Sequence, residues 1–183
     1  MRTVWLFIPI LLPVLSAQTG SARKELLEEA GKALQAGPFS VMQKSRTPPS
    51  GDKHDYMSVG PYWWPDPSKP DGLPYIRKDG ETNPDRLASE TDGGAMKKMQ
   101  EAAGALALAW RETREERYAE RTALLLRAWY LDPATRMNSN LNFGQSIPGR
   151  VDGRGIGIID TLSLVYLCQQ LRWLEGSKSW SGG

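Results

Sequence analysis

The stretch from Arg46 to Arg86 constrains this chain more than any other, because it holds eight of the 13 prolines and five of the 16 aromatic residues. Proline fixes its own φ and offers no N–H, so a segment this dense in it cannot be a helix. No alternation of apolar and polar residues marks it as a strand either. It predicts a long loop, punctuated by Gly51, Gly60, Gly72 and Gly80, and loops of that length are either functional or disordered. Disorder disfavours aromatics, whereas this segment carries Tyr56, Tyr62, Trp63, Trp64 and Tyr75. An ordered loop that presents a binding surface is the reading that follows.

Helices flank the loop. Residues 22–37 place Leu26, Leu27, Ala30 and Leu34 at helical spacing, and Gly37-Pro38 ends the run. Helix formers return from about Leu87 to Arg114. A further helix over Glu115–Leu131 sets Tyr118, Thr122, Leu125 and Trp129 along one face and stops at Asp132-Pro133. The short break between these two predicts an antiparallel hairpin. Ile156–Glu175 reads as one strongly apolar helix in need of partners, with Cys168 as a buried thiol beside Leu164, Val165, Leu167 and Leu171. The layout is all-α, helix pairs with long polar loops at one end.

The N-terminus is a separate matter. Behind Arg2, the twelve residues Val4–Leu15 are apolar but broken by two prolines, too short for a hydrocarbon layer of roughly 30 Å. Ser16-Ala17 then offers the small residues of a cleavage site, so residues 1–17 read as a signal peptide rather than a core segment. The mature chain is expected in the periplasm or outside the cell, without a stable membrane span.

Composition excludes several function classes. Lys+Arg number 23 against 21 Asp+Glu, a net of +2 with no clustered basic face, which argues against a nucleic-acid partner. One Cys and one His leave no internal disulfide and no Cys/His zinc site within a single chain. A nucleophile triad would have to use His54, and nothing beside it resembles a nucleophile motif.

Two clusters could carry chemistry. Tyr62, Trp63 and Trp64, held between Pro61 and Pro65, offer flat faces on which the C–H face of a sugar ring can stack, and His54, Asp55, Tyr56, Asp66 and Arg77 add polar edges. The plainer alternative is that the rings pack and His54 bonds a loop carbonyl. The second cluster is Arg136, Asn138, Asn140, Asn142, Gln145, Arg150 and Arg154. Amides and guanidinium groups together hold a carboxylate through charge-assisted hydrogen bonds, although Asn is also an ordinary turn residue. Gly153, Gly155 and Gly157 follow coil rather than a strand, so they read as a flexible entry to the last helix, not a nucleotide loop.

The string SGDKHDYMSVGPYWWPDPSKPDGLPYIRKDGETNPD, with TRMNSNLNFGQSIPGR and GRGIGIID after it in the same order, resembles the alginate lyase domain family. These are polysaccharide lyases related to the all-α alginate lyases, and the resemblance runs from about Leu26 to Trp180. It implies an incomplete (α/α) toroid of helical hairpins with long functional loops, residues 22–183 being its N-terminal portion. It implies an anionic polysaccharide, alginate or a related polyuronate, as partner, cleaved by β-elimination without metal or cofactor. In that chemistry hydrogen bonds neutralise the C6 carboxylate, a His or Tyr takes the C5 proton, and a Tyr protonates the leaving O4. His54 and Tyr56 match the family's loop block, which makes them cleft-lining residues and the candidates for catalysis. The substrate-contact set is His54, Tyr56, Tyr62, Trp63, Trp64, Arg136, Asn138, Asn140, Gln145 and Arg154. The family's downstream Asn-Asn-His motif is absent from this sequence, so a fragment, weak or inactive by itself, is expected. Two readings compete: a non-catalytic exported polysaccharide-binding module using the same rings, and a ligand-free helical scaffold.

Overall fold

Helix formers dominate the ends of the chain and Ala-rich stretches its middle, and these become the framework. The computed structural model describes residues 11–180, with side chains from residue 20 onward. The leader expected over 1–17 lies outside the described residues as far as residue 10, and residues 11–17 fall in α1. Four α-helices are described: α1 Leu11–Gln35, α2 Gly93–Thr113, α3 Glu116–Tyr130 and α4 Leu162–Leu171. Among the described residues no helix is long and apolar enough to cross a membrane.

The hairpin predicted between the second and third helices is present. Arg114 closes α2 in the left-handed region, φ 58°, and its N–H bonds the Trp110 carbonyl. Ala102, Ala103, Ala107 and Ala109 let α2 approach its neighbours closely, and Leu106, Trp110, Tyr118, Leu125 and Leu174 fill the space between α1, α2 and α3. A second cluster packs Val41, Tyr56, Met96, Met99 and Trp129 between the loop and the hairpin. This second cluster anchors the Pro-rich loop on helices.

Three expectations need correction. The loop contains short strands: β1 Met57–Val59, β2 Trp63–Trp64 and β3 Ile76–Arg77, with β4 Phe143–Ser146 further along. β1 pairs in parallel with β4, and β2 antiparallel with β3. Ladders of two or three residues are too short to leave an alternation in the sequence, so the layout is mainly helical with small strand pairs. The apolar helix expected over 156–175 is three pieces, a 3-10 turn Gly155–Thr161, α4, and a 3-10 turn Arg172–Leu174. Gly157 sits against Gly144, where any Cβ would stand 3.0 Å from backbone atoms, and that close approach sets the path of the first piece. Cys168 is exposed, not buried, because α4 turns Leu167 toward the interior and leaves its other flank open. Ile156, Ile158, Leu162, Val165 and Tyr166 are exposed on that flank, in keeping with a helix short of partners.

Candidate functional site

A buried ion pair fixes the loop to the helices. Lys44 Nζ lies 3.1 Å from Asp92 Oδ2, with both side chains almost wholly inaccessible. Lys44 also donates to the carbonyls of Val41 and Lys53. Asp92 precedes α2, and its Oδ2 accepts from the Met57 N–H at 2.9 Å while its own N–H returns a bond to Met57. Burial pushes the Asp92 carboxyl up to about 6, against the opposing pull of the Met57 N–H and Lys44. Burial likewise lowers the Lys44 ammonium, with Asp92 opposing. β1 is thereby clamped to the N-terminus of α2.

With β1 held there, the residues around it converge on one carboxylate. Asp160, in the 3-10 turn before α4, accepts at Oδ2 from the Tyr56 hydroxyl at 3.0 Å and the Ser58 hydroxyl at 2.5 Å, and at Oδ1 from Gln145 Nε2 at 2.9 Å. Ser58 Oγ in turn accepts from the Gln145 N–H at 2.7 Å. Arg154 reaches Gln145 from behind, donating Nε to its carbonyl and NH2 to its Oε1. The Tyr56 phenol is pushed far up by burial and further by the Asp160 charge, so it stays protonated through the neutral range and serves as a donor rather than a base.

Gln145 holds a left-handed conformation, φ 49°, which costs a non-glycine residue on the order of 1 kcal/mol. Its four hydrogen bonds hold it there. Truncation should reverse the usual order of the small residues: both variants lose the two side-chain bonds, but Gln145→Gly relaxes the backbone whereas Gln145→Ala keeps the strain. Thermal unfolding is expected to rank Gln145→Ala below Gln145→Gly by about 1 kcal/mol.

Tyr56, Ser58, Gln145 and Asp160 lie at one end of a groove of about 740 Å³ between β1, α2 and the segment 159–170. Its rim carries Tyr62, which is 44% exposed, together with Pro61, Arg86 and Leu87. Lys97, Gln100, Glu101 and Gly104 line the side formed by α2. Among the described residues no three His, Cys, Asp or Glu side chains are grouped as a metal site requires.

Of the ten residues the sequence points to, the groove gathers Tyr56, Tyr62 and Gln145, with Arg154 supporting Gln145. The others lie elsewhere. His54 bonds the Arg136 carbonyl through Nδ1 at 2.7 Å, and since a carbonyl only accepts, Nδ1 carries the proton. Asn138 donates to Asp52 and Asp55, and Asn140 donates to Asp55. Burial raises the Asp55 carboxyl, but the bonds from Asn138, Asn140 and Ser50 together carry it below its ordinary value. These amides thus hold the protein's own carboxylates and fasten the loop to residues 136–140. Arg136 itself is exposed. Trp63 lies under the Arg150 guanidinium at 5.6 Å, and Trp64 under Lys78 at 4.9 Å with its Nε1 on the Glu81 carbonyl. Both indoles are half-buried within the loop and do not line the groove. Sequence reasoning missed Asp160. Its signal was available: it is the only charged residue between Ile156 and Leu171.

A family model described as alginate lyase matches residues 40–183. The crystal structure of an alginate lyase from Bacteroides ovatus at 1.60 Å resolution is similar to this chain, with a TM-score of 0.83 and 48% identity over 87% of this chain and 42% of that one. The chain therefore spans about two fifths of the length of that protein. No curated protein matches it.

Proposed function

The chain belongs to the alginate lyase family, and from that membership we propose that its groove binds a polyuronate and takes part in cleaving it by β-elimination, as a polysaccharide lyase. The observation that carries this reading is the protonated Tyr56 phenol, buried just beneath the groove surface and bonded to a half-buried acceptor carboxylate, Asp160. In β-elimination the C5–H bond breaks toward a base, the C4–C5 double bond forms, and the C4–O4 bond breaks. The leaving O4 then needs a proton. A developing alkoxide is a stronger acceptor than a carboxylate, so Tyr56 re-aims its O–H from Asp160 to O4, while Ser58 and Gln145 keep Asp160 in place. Arg86, on the groove, brings positive charge for the uronate carboxylates.

The single histidine spends Nδ1 on the Arg136 carbonyl away from the groove. We therefore assign the C5 base, and the Asn-His pair of the family, to residues equivalent to the unmatched share of the Bacteroides ovatus protein. On this reading the α2–α3 hairpin with α1 and α4 is part of an incomplete (α/α) toroid, and the 183 residues alone turn over weakly. The apolar leader supports export, with cleavage by the mature protein outside the cytoplasm.

The test is incubation with alginate and other polyuronates while following the ultraviolet absorbance of the unsaturated uronate product. Slow product formation, abolished by Tyr56→Phe with binding retained, is the expected result. Binding without product from any polyuronate, by this chain or a longer form, would select a non-catalytic binding module. Absence of both would overturn the reading.

A further inference from the structure

The end of the groove away from Asp160 is chemically different. Gln100, on α2, is more than nine-tenths buried and lines the groove, yet its Nε2 has no hydrogen-bond partner. Its Oε1 is taken by the Ser163 hydroxyl from α4. Gln170, about two turns of α4 beyond Ser163 in the groove wall, lies over Gly104, where a methyl group would stand 2.5 Å from Gln170 Oε1. The Tyr166 ring, 66% exposed, borders the same space. An unpaired amide donor in such a wall costs free energy until something accepts from it.

We infer that Gln100, with Ser163, Gln170 and Tyr166, forms a subsite that reads the hydroxyl groups of a sugar unit rather than its carboxylate. The inference rests on the polysaccharide reading above and specifies which part of the polymer this end holds. Neutral amides and a hydroxyl match sugar hydroxyls, which both donate and accept. The Tyr166 face suits the C–H face of a ring. A carboxylate would call for a cation, and Lys97, the lysine that α2 brings to the groove, is paired with Glu101. Gly104 is part of the device, since a Cβ there would push the Gln170 amide out of its present position.

Calorimetric titration with a mannuronate tetrasaccharide and with its carboxyl-reduced, neutral counterpart tests the inference. Gln100→Leu keeps the size and removes the donor, and should weaken both ligands by a similar factor of about five to ten, with an unchanged melting temperature. Gly104→Ala, which displaces the Gln170 amide, should act in the same direction and serves as the test if the first variant does not fold. Unchanged affinity for both ligands in the variants would overturn the inference while leaving the polysaccharide reading intact. Weakening of the charged ligand alone would overturn it too, by making Gln100 a carboxylate reader. No binding of either ligand by the unaltered protein would overturn both.

Discussion

An Asp160→Asn variant is expected to bind alginate oligosaccharides at least tenfold more weakly and to lose about 3 kcal/mol of stability, because three donors meet on this one carboxylate and hydrogen bonds to a charged group contribute roughly 1.5–3 kcal/mol each. An asparagine can satisfy the Tyr56 and Ser58 hydroxyls through its oxygen. Its NH2 then faces the Gln145 Nε2, donor against donor. Freed from that anchor, Gln145 keeps a left-handed backbone with fewer bonds to hold it. The variant also carries a spectroscopic signature. The Asp160 charge helps push the Tyr56 phenol up, so removing it should let Tyr56 ionise at a lower pH, with burial still keeping it above an ordinary tyrosine. An ultraviolet difference titration reads that change, and a variant that unfolded would instead titrate like free tyrosine.

Lys44→Met is the second large effect. It leaves the Asp92 carboxylate buried against a backbone N–H alone, and removing one partner of a buried pair costs roughly 3–5 kcal/mol. The pH dependence gives the signature. A carboxyl raised to about 6 in the fold, against an ordinary 3.8, binds its proton more tightly when folded. Its contribution therefore favours folding below about pH 4 and is lost as pH rises through about 6. Lysine holds that value down, so without it the folded carboxyl rises further and the window moves upward. Chemical denaturation should show Lys44→Met less impaired at pH 5 than at pH 7. Pairing it with Asp92→Leu should recover much of the loss, since an apolar pair of similar volume replaces buried charges at little cost. Because Asp92 clamps β1 to α2, the single variant should also loosen Tyr56 and weaken oligosaccharide binding.

The framework was readable where local rules act alone. The α2–α3 hairpin follows from helix formers, one apolar face and a short break, and its buried Tyr118, Thr122, Leu125 and Trp129 are the residues the spacing picks out. Paired strands of two or three residues carry no such local record. The sequence reads the last helix too long because Gly157 depends on its contact with Gly144, which no window of the sequence contains. The exposure of Cys168 is not legible in the sequence for a related reason: an apolar segment does not say which of its faces meets α2.

The site shows the same division. Tyr56, Tyr62 and Gln145 come from blocks whose composition already pointed to a ligand. What could not be read was pairing across the chain. Asn138 and Asn140 fit carboxylate recognition, and they do bind one, but it is Asp55, more than eighty residues away. The Trp63–Trp64 pair has the faces of a sugar platform, yet Arg150 and Lys78 cover those rings. A lone aspartate in an apolar run is the better clue, since even a half-buried charge needs donors around it.

A structure determined after soaking with an alginate tetrasaccharide tests the central claim most directly. The expected result is a uronate unit in the groove between β1, α2 and α4, with its glycosidic oxygen within hydrogen-bond distance of the Tyr56 hydroxyl. A sugar seated on the Trp63–Trp64 surface, with the groove empty, would contradict it.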